Sequence, residues 1–216
     1  MATHHHGRHR VAFQPLRRAS ARGCQPACAG RAAGAGFLSA ASRLEPIGYA
    51  TASTWLGQAL VAQSHQGICA ILLGDDPEAL AAELQRRFPW AVLAASNSEC
   101  ARQIAPLIGS MDTGVMPAAV PLDLRGSAFQ QRVWRCLMDI PAGRTASYTD
   151  IAMHIDAPRS VRAVAQACGA NPVAVLVPCH RVVGRNGALR GYRWGVERKR
   201  ALLEREAAWA HLAATP

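Results

Sequence analysis

The residues best suited to chemistry form the run Pro178-Cys179-His180-Arg181, which follows the apolar stretch 173–177. The β-branched residues of that stretch predict a buried strand, and Pro178 would end it, so that Cys179 and His180 lie at the strand's exit. A thiol beside an imidazole and a guanidinium is expected to have a lowered pKa and to act as a nucleophile. The alternative is that Cys179 is only a buried packing residue.

Two other groups could bind metal, but neither makes a complete site. The consecutive His4, His5 and His6 would bind an ion weakly, and Cys24 and Cys28 would supply half of a tetrahedral zinc site. We therefore predict no metal and no cofactor.

The chain has seven cysteines, an odd number without the spacing of a disulfide framework, and this indicates reduced thiols in a cytoplasmic compartment.

Composition and charge narrow the class of protein. Half of the 216 residues are hydrophobic, yet no apolar run approaches the roughly 20 residues of a membrane span. We expect a soluble monomer with no membrane contact.

The net charge of +10 is unevenly spread: residues 1–44 carry seven Arg and no acidic residue, residues 45–120 are net acidic, and residues 121–216 carry fourteen basic and seven acidic residues. The basic C-terminal part predicts a polyanionic partner.

The pattern of the chain predicts three segments. Residues 1–45 lack apolar periodicity and are expected to be disordered. Residues 46–118 are expected to form an α/β subdomain, with strands at 47–51, 55–63 and 67–73 in an antiparallel meander and helices at 78–88 and 98–108. Residues 119–210 are expected to form a mostly helical domain that holds Cys179.

The C-terminal segment has the outline of a helix-turn-helix. Ser127 with Gln130, and Ser147 with Asp150, are capping signatures that predict helices continuing to about residues 140 and 155. A short turn leads to a third helix at 158–168, and a last helix is predicted at 197–208. On the third helix we expect one buried face and one cationic outer face. The predicted buried residues are Val161, Val164, Ala165 and Cys168, and the predicted outer residues are Arg159, Arg162, Ala163, Gln166 and Ala167.

These segments together resemble the methylated-DNA–protein-cysteine methyltransferases, which repair 6-O-alkylguanine. The matching segments occur in the same order along the chain, and they are FQQRVW (129–134), SY (147–148), RAV (162–164), NP (171–172), PCHRVV (178–183), GYRWG (191–195), RK (198–199) and LLERE (202–206). Residues 67–76 also resemble the domain that precedes this module in bacterial adaptive-response (Ada) proteins. The resemblance covers about 165 of the 216 residues.

The resemblance implies an α+β fold in two parts. A small N-terminal antiparallel sheet with helices, similar to ribonuclease H, would precede a winged-helix-like DNA-binding domain with a helix-turn-helix. It also implies a catalytic group. Cys179 would accept the alkyl group, His180 would relay the thiol proton through a water, Glu206 would orient His180, and Asn171 would hold the turn that carries Cys179.

The resemblance also implies the residues that contact substrate and DNA. Tyr148 would help to rotate the target nucleotide out of the duplex, and Arg162 would fill the gap it leaves. The carbonyls of Cys179 and Val182 would bind the exocyclic amine of the base, and the amide of Arg193 would lie near the guanine oxygen. The other residues expected at the pocket or the DNA are Arg159, Gln166, Arg181, Tyr192 and Trp194.

The implied reaction is an irreversible methyl transfer, once per protein molecule, from 6-O-methylguanine and also 4-O-methylthymine in double-stranded DNA to Cys179. The third helix would enter the minor groove, with little sequence specificity. Full Ada proteins also carry a complete N-terminal zinc domain and a regulator domain, which this sequence lacks. Trp194 stands where some members have Gly, so we expect a narrowed pocket rim that favours methyl over benzyl groups.

Two alternatives remain beside this reading. A non-enzymatic module could use the same helix to detect alkylated bases without transferring the alkyl group. A cysteine hydrolase is disfavoured, because adjacent Cys and His side chains rarely face each other. Transfer of label from methylated DNA to Cys179 separates these functions.

Overall fold

The computed structural model describes residues 45–95, 104–107, 109 and 120–213, with side chains through residue 209. The predicted disordered segment lies outside the described residues apart from Glu45, and so do Cys24 and Cys28. Most of the helix predicted at 98–108 also lies outside them. Residues Leu44–Pro216 form one compact unit. The predicted boundary between residues 118 and 119 stays a prediction.

The N-terminal part of this unit is built on a small sheet, as predicted. Strands β1 (Glu45–Thr54), β2 (Gly57–Ser64) and β3 (Gly67–Gly74) form the antiparallel meander. Two-residue turns join them, and Gly57 and Gly67 follow those turns with positive φ angles of 94° and 144°. Such angles favour glycine, because a Cβ atom would be strained there.

One strand of the sheet was not predicted from the sequence. After helix α1 (Pro77–Arg87), which Asp76 caps through the Glu78 amide, the chain returns as β4 (Ala91–Ala95). Strand β4 pairs in parallel with β1, so the sheet order is β3-β2-β1-β4 and the sheet is mixed rather than purely antiparallel. The segment AVLAA is too short and too poor in β-branched residues to stand out as a strand.

The C-terminal part contains the predicted helices. They are α2 (Ala128–Met138), α3 (Tyr148–His154), α4 (Val161–Gly169) and α5 (Val196–Ala213). Both capping boxes are present, with Gln130 and Asp150 as the third helical residues. Two short strands, β5 (Ala146–Ser147) and β6 (Val182–Val183), pair in parallel beside them. Within the described residues no helix is long and apolar enough to cross a membrane.

Helix α4 differs from its prediction in two details. It begins at Val161, three residues later than expected, because the turn before it includes Asp156 at φ 54° and extends to Ser160. Its buried face also contains Ala167 rather than Ala165, since Trp134 of α2 packs there and donates its indole N–H to the Ala167 carbonyl at 2.8 Å. The predicted positions of these two alanines were therefore wrong, and Ala165 is exposed.

The stretch before Cys179 is a loop, so the strand predicted at 173–177 was wrong. Val173 makes one isolated bridge with Ile71, and Val175 has φ 67°. The backbone groups bond instead to scattered partners: the Ala174 N–H donates to the Ile71 carbonyl at 3.0 Å, and the Val173 N–H donates to the Asn171 side chain at 2.9 Å. No continuous neighbouring strand therefore pairs with this loop among the described residues.

The sheet separates two hydrophobic clusters. One lies between the sheet and α1 and includes Leu60, Leu72 and Leu84. The larger one joins the other face of the sheet to the C-terminal helices, and it includes Ile71, Trp134 and Cys179. Because one cluster packs on each face of the sheet, strand β3 is buried on both faces. This burial explains why its sequence is a continuous apolar run rather than an alternating one.

Substitution of Gly67 tests the close approach of the sheet to the C-terminal part. A Cβ atom at Gly67 would overlap the Pro121 carbonyl, which accepts the Ile68 N–H at 2.8 Å. We expect Gly67→Ala to lower the free energy of unfolding by about 3 kcal/mol, from strain and clash together. Urea denaturation measures it.

Gly187→Ala is the matched control for this prediction. Gly187 also has a positive φ of 76°, but a Cβ atom there meets nothing within 4 Å. We expect a loss of only about 1 kcal/mol, because strain acts without a clash. Equal effects of the two substitutions would contradict the close approach.

Candidate active site

Cys179 lies at the floor of a pocket. It begins the short 3₁₀ turn Cys179–Arg181 and is 4% exposed. The pocket has a volume of about 350 Å³ and opens between α4 and the loop 191–195. Its lining residues are Tyr148, Ala165, Cys168, Gly169, Cys179, Gly191, Tyr192 and Arg193. The small residues of α4 form one wall, so the pocket is wide enough for a ligand beside the thiol.

Asn171 holds the turn that presents the thiol. Its side-chain amide donates to the Val177 carbonyl at 2.8 Å and lies 3.1 Å from the Cys179 sulfur. Its oxygen accepts the Val173 N–H. Because this fully buried amide joins both ends of the loop, it closes the loop in place of strand pairing.

Glu206 binds the two residues that follow Cys179. Its carboxylate accepts a hydrogen bond from His180 Nε2 at 2.8 Å, from the Arg181 guanidinium at 2.8 to 3.1 Å, and from the Gly143 N–H at 3.2 Å. Burial acts to raise the pKa of Glu206, but the bonds from His180 and Arg181 outweigh it and lower that pKa to about 2. The sequence alone suggested a surface carboxylate, whereas Glu206 is 5% exposed.

His180 is a neutral imidazole with one nitrogen available. Burial lowers its pKa, and the Glu206 carboxylate opposes this shift without cancelling it. Since Nε2 carries the proton donated to Glu206, Nδ1 is the acceptor nitrogen of this tautomer. Nδ1 is buried and has no hydrogen-bond partner among the described residues. His180 can therefore accept a proton.

The pKa of Cys179 is raised to about 11, so the predicted low-pKa thiolate was wrong. Burial is the main cause, and the hydrogen bond from Asn171 and the charge of Lys199 only partly offset it. The neighbouring cations do not lower it as expected, because Arg181 is turned towards Glu206 and His180 is neutral. The resting sulfur is thus a protonated thiol.

Lys199 is a buried cation that the sequence analysis did not assign to the site. Its ammonium group is fully buried and donates to the Val182 carbonyl at 2.6 Å and to the Arg190 carbonyl at 3.2 Å. It therefore ties the strand after the turn to the loop over the pocket. The available signal was its place in the matching segment Arg198-Lys199.

The loop 191–195 forms the wall opposite α4. Tyr192 and Arg193 line the pocket, but Trp194 does not. Trp194 is 5% exposed and packs edge-on behind Tyr192, with ring centroids 5.1 Å apart. The expectation that its indole narrows the rim directly was therefore wrong, because the glycine-bounded loop turns the indole inwards.

The remaining predicted residues divide into two groups. Arg159 is exposed before α4, and Arg162 and Gln166 are exposed on it, but none of the three lines the pocket. Tyr148, at the start of α3, is half-buried in the pocket wall, where burial raises its pKa to about 12. Arg181 was expected at the DNA, but Glu206 and the Ile140 carbonyl bind its guanidinium.

Comparison with known proteins shows the family to which this chain belongs. Residues 128–208 match the family model described as 6-O-methylguanine DNA methyltransferase, DNA binding domain. The inducible methylated-DNA–protein-cysteine methyltransferase of Bacillus subtilis is 43% identical over 122 residues, which are 56% of this chain and 68% of that protein. The chain belongs to the methylated-DNA–protein-cysteine methyltransferases.

Other members of the family extend the similarity to the N-terminal sheet. The bifunctional transcriptional activator/DNA repair enzyme Ada of Escherichia coli is 51% identical over 161 residues, which are 74% of this chain and 46% of that protein. The chain thus spans about half the length of the curated relatives it matches first. A crystal structure of Mycobacterium tuberculosis OGT in complex with DNA superposes with a TM-score of 0.59 at 35% identity, covering 74% of this chain and 93% of that one.

Lys199 provides a test of the electrostatics in this member of the family. Replacing it with Met removes a charge that lowers the pKa of Cys179, so that pKa rises and less thiolate forms at any pH. We expect Cys179 of Lys199→Met to react with iodoacetamide about threefold to tenfold more slowly between about pH 7 and 9. Peptide mass spectrometry identifies Cys179 among the other cysteines.

Arg200→Met is the control, since Arg200 is exposed on the same helix. In the unchanged protein the rate should rise about tenfold per pH unit over this range, because the pKa lies above it. A rate that levels off near neutral pH would show a thiolate at rest and contradict the raised pKa.

Proposed function

We propose that this protein repairs DNA by direct reversal, transferring the methyl group of 6-O-methylguanine, and also of 4-O-methylthymine, to its own Cys179. The observation that carries this proposal is the buried thiol at the floor of the pocket, next to a neutral His180 whose Nδ1 can accept a proton. Membership of the methyltransferase family supports the same reaction.

The target base reaches the thiol by leaving the duplex. A methyl group on the guanine oxygen lies inside the base stack, so only a flipped nucleotide can bring it to a protein pocket. The pocket mouth lies beside α4, whose exposed side carries Arg162 and the small Ala165. In this proposal α4 enters the minor groove, Arg162 occupies the gap in the stack, and Tyr148 binds the extruded nucleotide.

The transfer forms one bond and breaks one. The Cys179 sulfur attacks the methyl carbon, and the C–O bond breaks with its electron pair staying on the base. The thiol proton passes through a water molecule to His180 Nδ1, and the restored guanine takes up one proton, so the net proton transfer is from sulfur to base. Glu206 stabilises the imidazolium that forms in between, because its carboxylate already accepts the Nε2 proton.

The docked base is held by backbone groups around the thiol. The Cys179 and Val182 carbonyls would accept hydrogen bonds from the exocyclic amine, and the Arg193 amide would lie near the guanine oxygen. The Val182 carbonyl already accepts from Lys199 at 2.6 Å, which leaves its second lone pair for the base. Asn171 keeps the turn rigid while the sulfur attacks.

The product is a thioether, which has no good leaving group, so each molecule acts once.

Binding to DNA rests on phosphate contacts from the basic C-terminal part rather than on base-edge contacts, and it should weaken as salt increases. Arg159 and Gln166 lie on the face that would approach the backbone. We further propose that the protein acts as a cytoplasmic monomer.

A transfer experiment tests this function. The protein is incubated with duplex DNA that carries 6-O-methylguanine with a labelled methyl group, and the label is located by peptide mass spectrometry. We expect one label per protein molecule, on Cys179, and none with Cys179→Ser. Binding without transfer would indicate a sensing module instead, and several methyl groups released per molecule would indicate a hydrolase.

Arg162→Ala tests the base-flipping step. Without its side chain in the stack the extruded state loses stabilisation, so we expect methyl transfer from duplex DNA to slow by about tenfold or more. Transfer from the free modified base should stay within about twofold, since nothing has to be flipped. Arg200→Ala, which removes an exposed Arg on α5, is the control for charge. Equal slowing with both substrates would argue against this role of Arg162.

A further inference from the structure

Glu83 on α1 binds the loop 191–195, which forms one wall of the active-site pocket. Its carboxylate accepts hydrogen bonds from Arg193 Nη2 at 2.6 Å and Nε at 3.2 Å, although the two residues are 110 positions apart. Arg193 lines the pocket, and its Nη1 also donates to the Gly169 carbonyl at 3.3 Å, at the end of α4. Arg193 therefore joins three elements: α1, α4 and the loop.

The rest of the loop is held at its ends rather than at the pocket wall. Lys199 binds the Arg190 carbonyl just before the loop, and Arg198 donates to the carbonyl of Trp194, near the loop's end, at 3.0 Å. The hydroxyl of Tyr192, which also lines the pocket, is buried and has no hydrogen-bond partner among the described residues. Among the described residues, the Arg193 side chain thus supplies the hydrogen bonds that join this wall to α1 and to the end of α4.

The carboxylate that supports Arg193 stays ionised. Burial alone would raise the pKa of Glu83, but the hydrogen bond and charge of Arg193, together with Arg87, lower it. Arg87 is the second partner of Glu83, at 3.3 Å on the same helix. Helix α1 is in turn packed on the sheet through Leu80 and Leu84, so the carboxylate rests on a rigid support.

We infer that Glu83 is a positioning residue that sets the width of the alkyl pocket by holding Arg193 and the loop 191–195 against α4. This inference rests on the proposed function, since the pocket is the one that would receive the alkylated base. The expected preference for methyl over benzyl groups then has a different structural origin. It comes from the wall formed by Tyr192 and Arg193, which Glu83 holds in place and behind which Trp194 packs, rather than from an indole at the rim.

Substitution of Glu83 separates positioning from general stability. In Glu83→Gln the wall loses its ion pair and becomes mobile. We expect methyl transfer to slow by about fivefold to tenfold, because the bound base is less well oriented. Benzyl transfer should stay unchanged or increase, because a loose wall admits the larger group. The measured quantity is the ratio of the two second-order rate constants, which we expect to fall at least fivefold.

Two variants serve as controls. Glu78→Gln makes the same charge change on the same helix at an exposed position, and Arg87→Gln removes the other partner of Glu83. Both should leave the ratio within about twofold of the unchanged protein. In a double-mutant cycle, Glu83→Gln should have no further effect on the ratio once Arg193→Gln is present, because Glu83 acts through Arg193.

A second readout does not depend on DNA repair. The rates at which Cys179 reacts with iodoacetamide and with a bulky maleimide report the pocket width, and their ratio should shift towards the maleimide in Glu83→Gln. If the unchanged protein transfers no methyl group, the proposed function fails while this readout still tests Glu83. An unchanged reagent ratio, an unchanged methyl-to-benzyl ratio, or an equal shift with Arg87→Gln would each overturn the inference.

Discussion

The candidate active site depends on the hydrogen bonds that the buried carboxylate of Glu206 accepts. It lies on α5 and receives hydrogen bonds from His180, Arg181 and the Gly143 N–H, so the last helix determines where the 3₁₀ turn is placed. Burying a carboxylate is costly unless its charge is compensated, and here Arg181 supplies the positive charge. His180 can therefore remain neutral and keep Nδ1 as an acceptor. One ion pair thus compensates the buried charge of Glu206 and leaves His180 available as a proton acceptor.

Burial also explains how a cysteine of this kind can be reserved for a single use. The raised pKa keeps the Cys179 sulfur protonated at neutral pH, and a thiol is far less reactive than a thiolate towards oxidants and alkylating agents. Asn171 and Lys199 favour negative charge on the sulfur, but their effect on the pKa of Cys179 is smaller than that of burial. In the proposed reaction, deprotonation through His180 accompanies attack on a docked base. In this proposal the sulfur is therefore protected from side reactions until a damaged base is bound.

The N-terminal sheet takes part in this arrangement although the reacting residues lie in the C-terminal part. Ile71 of β3 donates to the Pro172 carbonyl and accepts from the Ala174 N–H, so the loop that carries Cys179 is bonded to the sheet. On the other side of the pocket, Glu83 binds Arg193, and Arg198 donates to the Leu56 carbonyl at 2.7 Å. These bonds and the shared hydrophobic cluster explain why the two parts form one compact unit despite their different composition.

Local patterns in the sequence determined the meander and the capped helices, because turn residues, caps and apolar periodicity act within a few residues of one another. The sequence also indicated Cys179 and His180 as candidate site residues. Local patterns did not reveal β4, which pairs with the distant strand β1. They also did not reveal the loop at 173–177, which Asn171 and Ile71 hold in place of a neighbouring strand. The burial of Glu206, the roles of Lys199 and Glu83, and the inward turn of Trp194 were likewise decided only by tertiary structure. The same holds for the pKa of Cys179. Its neighbours in sequence suggested a thiolate, but desolvation and the direction of the Arg181 side chain depend on how distant elements pack.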